Sequence, residues 1–159
     1  MNKPTAFKEI SLGGVTKEQL LNQLVEKGVQ FNKYAHMLFE HDSFSVGNEV
    51  EKVKLAKVNL ADLRISKPCF YLEIVERAAD LGLKLCPIVL GAFLRLAYLE
   101  QPEGPYLTIA SAKPENDEKY PNGFYVRNFE NSLWLRGYRA SDDYEWPIDS
   151  EFIFLRSCS

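Results

Sequence analysis

Eight residues near the C-terminal end of the chain are of the types that proteins use to bind polar ligands. They lie within residues 120–154, a segment that holds both tryptophans and ten of the twenty aromatic residues. The eight are Trp134, Arg136, Tyr138, Arg139, Asp142, Asp143, Tyr144 and Trp146. Aromatic faces beside guanidinium groups and carboxylates hold sugars, planar rings and carboxylated molecules. The same side chains are typical of protein-binding hot spots. We therefore expect this surface to bind a small polar ligand or a protein partner.

Strand alternation assigns part of this set to one surface. In a strand over 133–139, Trp134, Arg136 and Tyr138 share one face, and Leu133 and Leu135 lie on the other, which we expect to face the core. Tyr125 and Arg127 of the preceding strand could join the aromatic face. The plain structural alternative places Trp134 in the core and pairs Arg136 with Asp142 or Asp143.

The two adjacent aspartates raise an enzymatic alternative, a hydrolase that uses Asp142 or Asp143 with Arg136 as an anion-stabilising group. In a strand, adjacent side chains point to opposite faces, so at most one aspartate would serve a given site. A calcium loop needs oxygen ligands at alternate positions and a glycine turn, and the segment 142–147 has neither. We expect no metal site here.

Other reactive residue types lack a supporting pattern. His36, Glu40 and His41 form H-x-x-x-E-H, one residue longer than the inverted zinc-protease motif. Cys86 lies in an apolar run and is expected to be inert packing. Neither GxGxxG nor GxxxxGK[ST] occurs, so we expect no nucleotide cofactor.

Charge and cysteine content narrow the class of protein. The 159 residues carry a formal net charge of −3, which gives no overall electrostatic footprint for nucleic acid or an anionic membrane, although a local basic patch is compatible with it. The three cysteines form no CxxC pair, and MNKPTAFKEI is too polar for a signal segment. The apolar run 81–99 is interrupted by charges, glycines and a proline, so it is not a membrane span. We expect a cytoplasmic protein.

The N-terminal third predicts helices. After a loose lead-in over 1–14, Thr16 and Gln19 form a capping-box pattern for a helix over 17–27, and a second helix follows Asn32. Two helices joined by a short turn predict a helical hairpin. DNA binding through this hairpin is a minor alternative, because the second helix offers only Lys33 as a fixed cation.

The rest of the chain predicts strands around one clear helix. That helix runs from about Pro68, capped by Ser66, to Leu81. Period alone leaves 83–99 open between helix and strand. Strands are expected at 49–58, 106–111 and 151–156, and a hairpin pairs 124–127 with 133–139 across 128–131. These elements predict an α+β fold, with a mostly antiparallel sheet covered by one or two helices. We divide it into a helical segment 1–48 and a main domain 49–159.

Several longer motifs resemble a known family. LGLKLCPIVLG, LRLAYLEQPEGPYL, YPNGFYVRN and LWLRGYRASDDYEW are similar to segments of a family of small, uncharacterised bacterial proteins that have a helical N-terminal part and this aromatic C-terminal part. The resemblance covers about residues 14–156. It implies a bacterial, cytosolic protein and supplies no activity, cofactor or binding residue.

Overall fold

The computed structural model describes residues 6–156, which form an α+β fold with one mixed sheet of eight strands and four α-helices. In chain order the elements are β1 (Ala6–Leu12), α1 (Lys17–Glu26), β2 (Gln30–Phe31), α2 (Lys33–Glu40), β3 (Glu51–Asn59), a 3₁₀ helix (Ala61–Leu63), α3 (Tyr71–Asp80), β4 (Leu83–Lys84), α4 (Leu90–Ala97), β5 (Leu107–Ile109), β6 (Gly123–Phe129), β7 (Ser132–Tyr138) and β8 (Glu151–Arg156). None of these helices has the length and apolar character needed to span a lipid bilayer.

The sheet has the strand order β1-β3-β8-β5-β6-β7-β2, and β4 pairs with β8 beside this path. β2 runs parallel to β7, and β5 runs parallel to β8. The other pairings are antiparallel. The antiparallel description is therefore not borne out: the sheet is mixed, because the chain after β7 returns as β8 between β3 and β5 and runs parallel to β5, and β2 runs parallel to β7.

The predicted N-terminal helical hairpin is also wrong. The described chain begins with β1, which pairs with β3 so that Ile10 lies opposite Val53. β2 separates α1 from α2 and joins the sheet edge beside β7. Sequence patterning missed β1 because only Ile10 and Leu12 of this edge strand are buried, and missed β2 because it has two residues. Residues 1–5 of the expected lead-in and Cys158 lie outside the described residues.

Local signals at the helix ends were more informative. Thr16 and Gln19 form the predicted capping box, and the Asn32 side chain accepts a hydrogen bond from Ala35 N–H at the start of α2. α3 begins at Tyr71 with Phe70 as its N-cap, so Ser66 does not cap it. The ambiguous run 83–99 contains both types of structure, β4 first and α4 after it.

The β6–β7 hairpin is confirmed with a tighter turn than expected. Phe129 pairs with Ser132, which leaves Glu130 and Asn131 as a two-residue connection. Both have left-handed backbone angles, with φ of 52° and 63°. That geometry follows the twist of the flanking strands and fixes which side chains of β6 and β7 share a face.

One face of the sheet, the closed face, is covered by α1, α2 and α4. Their buried residues form a single cluster with Leu55, Ile153, Val126 and Leu135 of the sheet. α2 lies so close to β7 that a Cβ at Gly137 would sit 2.7 Å from the backbone carbon of Tyr34. Glycine at position 137 is therefore required for this packing.

The opposite face, the open face, is covered only in part. α3 and the 3₁₀ helix pack over β3 and β8, where Ile74 and Ala78 join Ala56 and Phe152 in a second cluster. One row of side chains crosses five strands of this face: Val58, Phe152, Thr108, Tyr125 and Arg136. The first three are buried and the last two are partly exposed. The helical cover therefore ends near β5.

Candidate binding site on the open face

Trp134 and Arg136 lie on the uncovered part of the open face. Tyr125 is paired with Arg136 across the two strands, and Arg127 with Trp134, so aromatic and arginine side chains alternate diagonally. The Arg136 Cζ lies 4.9 Å from the Trp134 ring centroid and 5.9 Å from that of Tyr125. These are cation–π distances. Within residues 6–156 neither arginine has a carboxylate at ion-pair distance.

Tyr138 and Trp146 lie nearer to α3. Trp146 is 4% exposed, and its ring centroid is 5.1 Å from that of Phe152 and 6.3 Å from that of Tyr71. Its backbone N–H donates a 2.8 Å hydrogen bond to the Cys69 carbonyl. This hydrogen bond joins the loop after β7 to the segment before α3. A hollow lies between the two segments.

We call this hollow the α3 cavity. It has a volume of about 440 Å³, within the range of small-molecule sites. Its wall is mainly apolar and is formed by Phe70, Tyr71, Leu72, Val75, Leu85, Ser111, Ala112, Lys113, Asn122, Tyr138, Ala140, Ser141, Asp142 and Trp146. Phe70 and Leu72 are 47% and 70% exposed.

Two polar atoms in this wall, Ser111 Oγ and Trp146 Nε1, are buried and have no hydrogen-bond partner among residues 6–156. The Ser111 backbone is satisfied, because its N–H donates to the Tyr71 hydroxyl and its carbonyl accepts from the same group. A Cβ at position 123 would lie 2.7 Å from Ser111 Oγ, so Gly123 leaves room for the hydroxyl. A buried polar group without a partner costs about 1–3 kcal/mol, which a ligand could recover.

The acidic residues of the loop after β7 lie apart from Arg136. Lys113 Nζ is 2.6 Å from Asp142 Oδ1, in an ion pair whose aspartate side chain is 82% exposed. Asp143 accepts a 2.7 Å hydrogen bond from the Ser141 hydroxyl. Within residues 6–156 no hydrogen bond or ion pair joins Arg136 to either aspartate.

A second hollow, the tyrosine cavity, lies on the other side of Tyr138 and Trp146. Its volume is about 290 Å³, and it is lined by Tyr106, Thr108, Tyr125, Tyr138, Arg139, Ala140, Tyr144 and Trp146. The two cavities share Tyr138, Ala140 and Trp146. Arg139 contributes to the wall, but its Nε donates to the Glu118 carbonyl and its Nη1 to the Tyr34 hydroxyl.

Burial keeps two tyrosines of the cavity walls, Tyr138 and Tyr71, uncharged. It raises the pKa of Tyr138 well above the ordinary tyrosine value. It also raises the pKa of Tyr71, against a smaller opposing effect of the hydrogen bond with the Ser111 backbone. Both phenols therefore stay protonated at neutral pH, where they offer hydroxyl groups and ring faces.

The other reactive residues named from the sequence, Cys86, His36 and His41, make packing or hydrogen-bond contacts within the fold. Cys86 is buried in the core cluster, and burial raises the pKa of its thiol, which favours the interpretation of this cysteine as inert packing. His36 packs edge-on against Phe31 and Phe39, and His41 contacts Glu115 and Ser43. Among residues 6–156 no group of three or more His, Cys, Asp or Glu side chains could hold a metal ion.

The eight residues singled out in the sequence are thus distributed over the exposed part of the sheet, the walls of the two cavities and the acidic loop after β7. Sequence reasoning missed Tyr71 and Ser111 of the α3 cavity and Tyr106 and Thr108 of the tyrosine cavity. Tyr71 fits the apolar stripe of α3 and gave no separate signal. Ser111 and Tyr106 border the short strand β5, whose pairing partners could not be read from local patterns.

The fold and site define an α+β protein with a mixed sheet, one closed face and two neighbouring cavities on the other face. Comparisons of the chain with known protein families, characterised proteins and solved structures found no match.

Proposed function

We propose that the protein is a binding module whose α3 cavity holds a small molecule with an apolar or aromatic body and a carbonyl or carboxylate group. The observation that carries this proposal is the pair of buried, unpartnered polar atoms, Ser111 Oγ and Trp146 Nε1, in an otherwise apolar wall. An indole N–H can only donate, and a serine hydroxyl can donate as well, so both suit an acceptor group on the ligand.

The mouth of the α3 cavity supports the same ligand class. The exposed Lys113–Asp142 pair is of the kind that contributes little to stability. A carboxylate on the ligand can therefore compete for the Lys113 ammonium at little cost. Val75 and Leu85 add apolar wall for the body of the ligand. We propose a cytosolic setting as well, because Cys69 and Cys86 are both free.

A thermal-denaturation screen of small carboxylated rings tests this function. A ligand at one hundred times its dissociation constant stabilises the folded state by about 2.7 kcal/mol, which raises the Tm of a chain of this size by roughly 5–10 °C. Val75→Phe fills the cavity from α3 and should abolish the rise. Val25→Phe is the matched control, since Val25 is 64% exposed on α1, and should retain it.

Ser111→Ala gives a second test of the same site. It removes a hydroxyl that has no partner, so the free protein should keep its stability while the ligand binds more weakly. The proposal would be contradicted if no compound raised the Tm, or if the Tm of Val75→Phe rose as much as that of wild type.

A protein partner is the second candidate function. Phe70 and Leu72 at the cavity mouth, together with Phe129 and Trp134 near the hairpin, leave apolar surface exposed beside arginine. Such composition is typical of interface hot spots. Phe129→Asp should then abolish partner binding measured by analytical ultracentrifugation or pull-down, whereas it should leave a ligand in the α3 cavity unaffected, because Phe129 is exposed and lies outside that cavity.

A further inference from the structure

The rings around the tyrosine cavity stand at steep angles to one another. The Tyr138 ring is inclined 88° to Trp146 at a centroid distance of 5.8 Å, and the Tyr144 ring is inclined 84° to Trp146 at 5.1 Å. Tyr106 and Tyr125 add a further wall, with centroids 4.8 Å apart and planes 47° apart. Five aromatic side chains therefore surround one hollow on several sides.

We propose that the tyrosine cavity binds a quaternary ammonium group through cation–π contacts with these rings. Ring faces carry negative electrostatic potential, and several faces around one cation are the arrangement by which proteins hold methylated ammonium groups. This site is separate from the α3 cavity and does not depend on the ligand proposed there.

Charges of both signs lie near the hollow, and the segment that supplies Tyr144 and Trp146 to its wall is acidic. Residues 141–149 include Asp142, Asp143, Glu145 and Asp149 and contain no lysine or arginine. Of these four, only Asp142 forms an ion pair within residues 6–156. The one charged residue in the wall, Arg139, directs its guanidinium to Glu118 and to Tyr34, whose ring centroid is 5.8 Å from its Cζ. The Nε and Nη1 groups of Arg139 are thus engaged by other residues, and the nearby Arg136 contacts the Tyr125 ring at 5.9 Å from its centroid.

The composition of the wall favours a methylated ammonium over a primary one. Among the residues that the structure describes, no carboxylate lines the cavity, so a primary ammonium would lose its water without an ionised acceptor. A trimethylammonium group has no N–H to satisfy and contacts ring faces through its methyl groups. The hydroxyls of Tyr106, Tyr144 and Tyr125 lie close enough to influence one another: burial, then the neighbouring Tyr144 and Tyr125, raises the pKa of Tyr106. Tyr106 therefore stays protonated at neutral pH.

Two sources could present this group, a free small molecule such as choline or a trimethylated lysine on a protein. Titration of the ¹⁵N-labelled full chain by NMR, observed on the amide signals of the protein, separates charge from shape. Choline is compared with its neutral isostere 3,3-dimethylbutan-1-ol, and a trimethyl-lysine peptide with the unmodified peptide. We expect both trimethylammonium probes to bind at least about tenfold more tightly than their controls. A tighter peptide identifies a protein source, and a tighter choline identifies a free molecule.

Variants locate the site. Tyr144 is 41% exposed, so Tyr144→Leu should fold and bind choline about 2- to 30-fold more weakly, whereas Tyr144→Trp should retain binding. Phe129→Leu is the matched control on the same sheet face, outside the cavity. Val75→Phe, which blocks the α3 cavity, should leave choline binding unchanged. Equal affinity for choline and its isostere, absence of choline binding, or equal losses in Tyr144→Leu and Phe129→Leu would overturn the proposal.

Discussion

Two arginines on opposite sides of the same strands show how the two faces of the sheet differ. On the closed face, Arg95 of α4 is 0% exposed and donates to the Gln101 side chain and to the Tyr98, Arg127 and Trp134 carbonyls. On the open face, Arg136 is only partly buried and stacks on Trp134 and Tyr125. On the closed face the arginine side chain is hydrogen-bonded to backbone carbonyls, whereas on the open face polar and aromatic groups remain accessible to a ligand. This contrast supports the proposal that the open face carries the binding sites.

The largest expected effect comes from Arg95→Ala. It removes four hydrogen bonds from a guanidinium whose pKa burial lowers to about 10, and it leaves buried acceptors without partners. We expect a loss of about 3 kcal/mol in the free energy of unfolding, measured by urea denaturation. Arg136→Ala is the matched control and should lose less than about 1 kcal/mol. Similar losses for the two variants would remove the distinction between the faces.

The second prediction concerns the tight packing of the closed face. Gly137→Ala places a Cβ 2.7 Å from the Tyr34 backbone, so α2 must move away from β7. Overpacking of this kind costs about 1–3 kcal/mol. At Gly47 the nearest atom to an added Cβ is 3.9 Å away, and Gly47→Ala should therefore change the midpoint little. Thermal denaturation compares the two variants, and equal midpoints would show that α2 does not press on β7.

The third prediction uses the titration of Tyr138. Its folded-state pKa is raised well above 10 by burial, while the same phenol in the unfolded chain ionises near its ordinary value. Above pH about 10 the unfolded state therefore loses the proton first, and this group's contribution to stability falls by about 1.4 kcal/mol per pH unit. Tyr138→Phe should show a shallower loss of stability between pH 10 and 11 than wild type. If the stabilities of Tyr138→Phe and wild type fell equally over this pH range, the Tyr138 hydroxyl would be exposed to solvent in the folded state.

The smallest effect is expected at the mouth of the α3 cavity. Asp142→Ala breaks an ion pair with an exposed aspartate and should change the free energy of unfolding by about 0.5 kcal/mol or less. Because it frees Lys113, it should also strengthen the binding of a carboxylated ligand, and high salt should reduce that gain. A large loss of stability would show that the pair is structural.

Features of the fold that depend on neighbouring residues in the chain could be predicted. The capping box of α1, the helix at α3 and the β6–β7 hairpin all have local signals. β1 and β2 could not be predicted, because an edge strand with two buried residues and a strand of only two residues carry little pattern. The parallel pairing of β5 with β8 joins distant segments, so no local signal specifies it.

The candidate site shows the same limit. The aromatic residues of 120–154 drew attention to Tyr138 and Trp146, which lie between the two cavities. Alternation correctly placed Trp134, Arg136 and Tyr138 on one face, but it could not show that α3 covers only the Tyr138 end of that row. Ser111 and Tyr71 are 40 residues apart, and only the folded chain brings them to the same wall.

The two tryptophans offer the most direct test of the central claim, because one lies in each part of the open face. A ¹H–¹⁵N spectrum shows one indole N–H signal for Trp134 and one for Trp146, and Trp134→Phe assigns them. The chain is titrated with a fragment library of small carboxylated rings. The account predicts that fragments shift the Trp146 signal, whose Nε1 has no hydrogen-bond partner in the described part of the chain, and that Val75→Phe prevents the shift. Fragments that move only the Trp134 signal, or neither signal, would contradict it.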